Sequence, residues 1–170
     1  MSMRTEQDLS RAYEEFSDAI FRHCFYRVYQ REQALDLTQQ VFMKTWEYIA
    51  KGNSIENLRA FLYRTANNLI IDEARKKKEQ VSLEVLEEHG IEPKFDQQAT
   101  LEDQLDGADI ATYLKKLPSA ERELLVMRYI DDLSPKEIAE TLQETPNVIS
   151  VRLNRAIKKL RELLPNTYVL

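Results

Sequence analysis

Residues 134–159 read SPKEIAETLQETPNVISVRLNRAIKK. Ser134 stands where a helix N-cap belongs, Pro135 falls at the first helical position, and Glu137 comes three residues after the cap. That is the order of a capping box. Ile138, Ala139 and Leu142 then recur at helical spacing as an inward face. The residues QET leave only a tight connection, after which Thr145 and Pro146 repeat the cap-then-proline start. Two helices joined by a turn of about four residues, the second long and basic, form a helix-turn-helix.

The second helix divides cleanly by face. With Ile149 at zero and about 100° per residue, Leu153, Ala156, Ile157, Leu160 and Leu164 cluster on one side. Asn147, Val151, Asn154, Arg155 and Lys158 lie opposite, with Ser150 on the flank. Amide, hydroxyl, guanidinium and methyl groups are what base edges and phosphates require in a major groove. A basic helix face taken alone is as readily a solvated surface. The capped short helix before it favours DNA binding.

The chain's net charge of −5 does not oppose this. Residues 1–80 carry 13 basic and 12 acidic side chains, and residues 111–170 carry 10 and 8. Residues 81–110 carry 1 and 9, so the acidity sits in the middle and both ends can meet a polyanion. With 170 residues, three Gly and five Pro, the chain suits one or two small helical domains rather than a turn-rich β fold. No apolar run reaches membrane-span length and no signal peptide opens the chain, so a cytoplasmic protein without membrane insertion is expected. One cysteine, Cys24, precludes an internal disulfide. Beside His23 it reads as a core position next to a surface one, and neither a zinc site nor a cofactor is expected.

Upstream, helical periodicity runs from Leu9 to about Arg31 through Ala12, Phe16, Ala19, Ile20, Phe25 and Val28. A second helix covers 33–49, with Ala34, Leu37, Val41, Thr45 and Tyr48 on one stripe flanked by Phe42, Trp46 and Ile49. KGNS at 51–54 breaks it, and a third helix over 55–80 ends in a basic run. Residues 81–98 read as an acidic linker. Thr100 and Asp103 form a candidate capping pair for a helix through Leu101, Leu105, Ala108, Ala111 and Leu114, which Pro118 interrupts before a further helix over 119–132. The fold class is therefore all-α: two small helical domains, 1–80 and 99–170, joined by the linker 81–98, the second holding the helix-turn-helix.

The block LPSAERELLVMRYIDDLSPKEIAETLQETPNVISVRLNRAIKKLRELL (117–164) resembles region four of the bacterial sigma factors, in their small extracytoplasmic-function group. ALDLTQQVFMKTW (34–46) and LRAFLYRTANNLIIDEARKKK (58–78) resemble region two. The resemblance implies a subunit that binds core RNA polymerase, through the β′ clamp helices and the β subunit, and directs it to promoter DNA. An anti-sigma factor is a further implied partner. Asp36, Gln39 and Gln40 would dock on the clamp helices, with Gln40 standing where the family usually has an acid. Arg64, Asn68, Asp72, Arg75, Lys76, Lys77 and Lys78 would serve the minus-ten element, where related factors hold a flipped-out base. Thr145, Asn147, Ser150, Val151, Asn154, Arg155 and Lys158 would read the minus-thirty-five element. Gln143 and Glu144 occupy a turn where the family commonly has Gly and an aliphatic residue, and a left-handed non-glycine residue there costs energy. The family's linker threads polymerase channels, which would give Glu84, Glu87, Glu88, Glu92 and Asp96 the role of a nucleic-acid mimic. A solvated tether is the competing reading.

A stand-alone helix-turn-helix regulator would have no need of the N-terminal blocks. A sigma-like protein that only titrates an anti-sigma factor would not need basic residues on both readers. Enzymatic activity is not expected, since no nucleophile–base or metal-ligand set stands out.

Overall fold

A computed structural model describes residues 6–87 and 108–164. Among these residues seven α-helices follow one another: α1 Glu6–Val28, α2 Arg31–Ala50, α3 Leu58–Glu87, α4 Ala108–Lys116, α5 Ser119–Leu125, α6 Pro135–Leu142 and α7 Pro146–Leu163. No strand occurs among them. The proposed Thr100–Asp103 cap, Leu101 and Leu105 lie outside the described residues.

Helices α1, α2 and α3 form an antiparallel bundle. Ala34, Leu37, Val41 and Ile49 of α2 are buried, as the stripe requires, and Thr45 joins them by donating its hydroxyl to the Val41 carbonyl at 2.7 Å. Tyr48 departs from that stripe and is exposed, because Thr45 and Ile49 between them complete the inner face. Helix α3 continues to Glu87, into the segment read as linker. The reason is local: VSLEVLE has neither Gly nor Pro, and the breakers Gly90 and Pro93 come later. Glu84 and Glu87 thus lie on helix α3, while Glu88, Glu92 and Asp96 fall outside the described residues.

The capping box forms as the sequence dictates. Ser134 N–H donates to Glu137 Oε2 at 2.8 Å, and Glu137 N–H donates to Ser134 Oγ at 3.3 Å. Thr145 Oγ1 accepts from Val148 N–H at 3.3 Å at the head of α7. Between them Gln143 is left-handed, with φ 56° and ψ 41°, the conformation that a glycine adopts without strain. Its N–H and that of Glu144 close the end of α6 on Glu140 and Ala139 carbonyls. Gln143→Gly is therefore expected to stabilise the protein by roughly 0.5–1 kcal/mol, read as a rise in thermal midpoint. A fall in the midpoint would show that the glutamine side chain makes up for its backbone.

The helix after Pro118 does not run unbroken to Asp132. It passes from α5 into one π turn, Val126–Ile130, in which Asp131 N–H bonds the Val126 carbonyl at 3.0 Å. The extra residue rotates the chain, so Asp131 is buried while Asp132, at φ 54°, is exposed. Asp131 meets His23 across the molecule: His23 Nδ1 donates to Asp131 Oδ2 at 2.7 Å, and both side chains are wholly buried. His23 is thus a core residue, against the expectation of a surface one. Its neighbour Cys24 is buried too, and burial pushes its thiol pKa up to about 12, which leaves it inert.

One buried cluster crosses the two halves. Ile20, Leu37, Leu62 and Tyr63 share it with Leu124, Met127, Leu133, Ile138, Ile149 and Leu153. Around it polar contacts bind the halves together. Arg27 Nη1, held by donating to Asn67 Oδ1 at 2.8 Å within its own half, lies 3.9 Å from Glu123 of the other, and Lys115 sits over the Tyr29 ring at 4.5 Å.

Candidate nucleic-acid interface

On α7 the apolar stripe turns Ile149, Leu153 and Ala156 into the core. The opposite face is open: Asn147, Ser150, Val151, Asn154, Arg155 and Lys158 are all exposed. Thr145 is exposed as well, but its hydroxyl is committed to the cap. Ser150 Oγ donates to the Pro146 carbonyl at 2.9 Å, which fixes its rotamer on the helix. Lys159, next in line, is drawn off this face by an ion pair with Glu121. The face that remains has amide, guanidinium, ammonium and valine methyl groups side by side.

A second feature lies between α2 and α3. A cleft of about 380 Å³ is lined by Lys44, Glu47, Tyr48 and Lys51 from α2 and by Phe61, Thr65, Asn68, Leu69 and Asp72 from α3. The two helices run antiparallel, and this brings Asn68 and Asp72 to one wall. The Tyr48 and Phe61 rings, 4.9 Å apart and tilted by 42°, stand at the other end. The cleft offers an aromatic surface, amide and carboxylate hydrogen-bonding groups, and two lysines, the combination that suits a base with its phosphates. Sequence reading anticipated Asn68 and Asp72 but missed Lys44, Tyr48, Lys51 and Phe61. The signal available was the loop KGNSIEN, short enough to bring the end of α2 back beside the start of α3.

The remaining expected minus-ten residues separate. Asp72 Oδ1 forms an exposed ion pair with Arg75 Nη2 at 3.4 Å. Lys77 Nζ donates to Gln33 Oε1 at 3.1 Å, while Lys76 and Lys78 stand exposed on the same basic turn. Arg64 points elsewhere: its Nη2 donates to the Glu140 carbonyl of α6 at 3.4 Å.

On α2, Asp36 and Gln39 are exposed, and Gln40 Nε2 donates to Asp36 Oδ2 at 2.6 Å. Leu35, Met43 and Trp46 lie exposed on the same side, at 43%, 62% and 38%. Sequence reasoning placed Trp46 on the flank of the inner stripe and did not list Leu35 or Met43, although their spacing with Gln39 steps four, four and three along the helix. An exposed Met and Trp among polar residues are the usual anchors of a protein interface. Among the described residues no group of three or more His, Cys, Asp or Glu is placed to hold a metal ion. No helix among them is long and apolar enough to cross a membrane.

Comparison with known proteins bears on the same two regions. The family description sigma-70 region 2 matches residues 12–80, and sigma-70 region 4 matches residues 107–160. The chain is 29% identical to the ECF RNA polymerase sigma factor SigW of Bacillus subtilis over 159 residues, covering 88% of this chain and 84% of that protein. It is 28% identical to the RNA polymerase sigma factor SigV of the same organism over 141 residues, covering 83% of this chain and 81% of that protein. Among solved structures, the fold resembles the sigma factor RpoE in its co-crystal structure with the anti-sigma factor NepR from Bartonella quintana. The TM-score is 0.73 at 22% identity, over 92% of this chain and 96% of that one. CnrH, solved in complex with the cytosolic domain of CnrY, has a TM-score of 0.67 at 21% identity, over 94% and 88% of the two chains.

Proposed function

The chain belongs to the sigma-70 family and is an RNA polymerase sigma factor of the extracytoplasmic-function group, and we propose that its two halves divide the promoter between them. It binds core polymerase and directs promoter-specific transcription initiation. Residues 1–80 act as the region-two unit, docking on polymerase through Asp36, Gln39 and Gln40 and taking a minus-ten base into the α2/α3 cleft. Asn68 and Asp72 hydrogen-bond that base, and Arg64, Arg75, Lys76, Lys77 and Lys78 receive phosphates. Residues 99–170 form the region-four unit, whose α7 face from Thr145 to Lys158 reads the minus-thirty-five element. Residues 81–98 connect the two. The protein works in the cytoplasm, with an anti-sigma factor as its regulator, in keeping with complexes known for its structural neighbours. Its task is initiation rather than catalysis of its own.

The observation that carries this reading is the pairing of two unlike nucleic-acid features in one chain. The cleft suits a base removed from its stack, and the α7 face suits an intact major groove. The test is transcription in vitro by core polymerase with this protein on a promoter library. Initiation should occur at a small set of promoters and only when the protein is added. Replacing Asp36, Gln39 and Gln40 together by alanine should weaken co-purification with core polymerase by about tenfold or more, with helicity unchanged. Undiminished binding of the triple variant would reject the docking assignment.

A further inference from the structure

Two valines stand on the open face of α7, Val148 at 38% exposure and Val151 at 44%. Solvent-facing helix positions are better filled by Ala, Lys, Gln or Glu, because a β-branched side chain loses rotamer freedom in a helix. With Ile149 at zero, Val151 falls at about 200°, Arg155 at about 240° and Val148 at about 260° around the helix. The valines therefore bracket Arg155, opposite buried Ile149, Leu153 and Ala156. Both lie in the first two turns of α7, which starts at Pro146. In a helix-turn-helix it is the N-terminal part of the second helix that meets base edges. Hydrogen-bonding groups are few in those turns. Thr145 Oγ1 holds the cap, and Ser150 Oγ has given its proton to the Pro146 carbonyl. Arg152 is half-buried on the flank, and Asn147 is the single amide.

We propose that Val148 and Val151 are specificity residues for thymine, each taking the 5-methyl group of one of two successive thymines in the minus-thirty-five element. The inference rests on the reading of α7 as the helix that meets that element. The 5-methyl is the apolar group on the major-groove edge of a base pair, and cytosine lacks it. Residues three apart on a helix are neighbours, with Cβ atoms about 5–6 Å apart. Base pairs stack at about 3.4 Å each, so two successive pairs come within reach of the two valines. A helical valine holds nearly one rotamer, so its methyls are in place before DNA arrives and their contact costs little ordering entropy. The surroundings select DNA over an apolar protein partner: exposed Arg155 between the valines and exposed Lys158 in the next turn draw a polyanion to this face.

The test uses holoenzyme, assembled from core polymerase and the full chain, on promoters selected from the library by transcription. Those promoters should share two successive thymines on one strand of the upstream element. Replacing either thymine by deoxyuridine removes one methyl and leaves base pairing intact. Each replacement should weaken holoenzyme binding about fourfold, the worth of one buried methyl. Deoxyuridine at thymines outside both promoter elements should leave binding unchanged. Val148→Ala and Val151→Ala should each abolish the response at one of the two thymines and keep it at the other. Alanine is the better helix former, so both variants should fold with helicity intact. A pair of 5-methylcytosine with guanine, put in place of thymine with adenine, should bind better than cytosine with guanine. That advantage should vanish in the Val148→Ala/Val151→Ala variant. Selected promoters without successive thymines, or a deoxyuridine loss that persists in the double variant, would overturn the proposal. Arg155→Ala separates the two levels of the inference. A changed promoter preference in Arg155→Ala with no deoxyuridine effect in the unmodified chain sinks the valine contacts alone. Unchanged preference in Arg155→Ala and in both valine variants sinks the reading of α7 beneath them.

Discussion

Replacing His23 by alanine is expected to destabilise the protein by about 3–5 kcal/mol, because it leaves the Asp131 carboxylate buried without its partner. Asp131 Oδ1 already finds no hydrogen-bond partner among the described residues, so the loss of the ring would strip Oδ2 as well. For a chain of this size the thermal midpoint should fall by roughly 10 °C. Asp131→Ala should cost a comparable amount, since neither His23 ring nitrogen would then keep a hydrogen-bond partner among the described residues. The double replacement His23→Leu/Asp131→Leu should recover most of the loss, because two apolar side chains of similar bulk need no partners. A double-mutant cycle by thermal unfolding checks this. Additive losses would mean that the two side chains do not act as a pair.

Asn68→Ala and Asp72→Ala should each cut open-complex formation on duplex promoters by about tenfold to a hundredfold, the worth of one base contact. Neither side chain supports the core: both are exposed at the wall of the cleft, so folding and polymerase binding should be unchanged. Removing a base from its stack costs a few kcal/mol, and the cleft offsets that cost only if its hydrogen bonds are in place. Templates already melted over the minus-ten element should therefore restore part of the activity. Equal defects on duplex and melted templates would refute a role in strand opening and leave Asn68 and Asp72 as plain binding contacts.

What was legible in the sequence is what depends on near neighbours. The Ser134–Glu137 cap, the Thr145 start and the two faces of α7 each follow from residues within a turn or two, and the structure has all three. The left-handed turn at Gln143 was legible as a cost, and the chain accepts it because both flanking caps fix the ends. The His23–Asp131 pair was not legible. Its members are 108 positions apart, and only the π turn directs the aspartate inward. No periodicity announces a π turn, so 119–132 reads as one plain helix. The same limit hid Arg64: its place on α3 is evident, but its turn toward α6 depends on a contact 76 residues away. The extent of α3 was missed for a different reason. Averaging composition over 81–98 merged a breaker-free stretch with the Gly and Pro that follow it. The candidate cleft was half legible, because one wall comes from a single helix and the other requires knowing how its partner returns.

The buried cluster shared by the two halves also sets a length. Elements named for positions thirty-five and ten lie about 25 base pairs apart, about 85 Å of helix axis at 3.4 Å per pair. A folded body of this chain length has a radius of gyration of about 15 Å. No such body reaches both elements at once. On the proposed division of the promoter between the two halves, Ile138, Ile149 and Leu153 have to leave the side of Leu62 and Tyr63 before both elements can be read. The energy of that parting is subtracted from the affinity for polymerase, so each substitution that loosens the shared cluster should tighten assembly of the holoenzyme while lowering the stability of the free subunit.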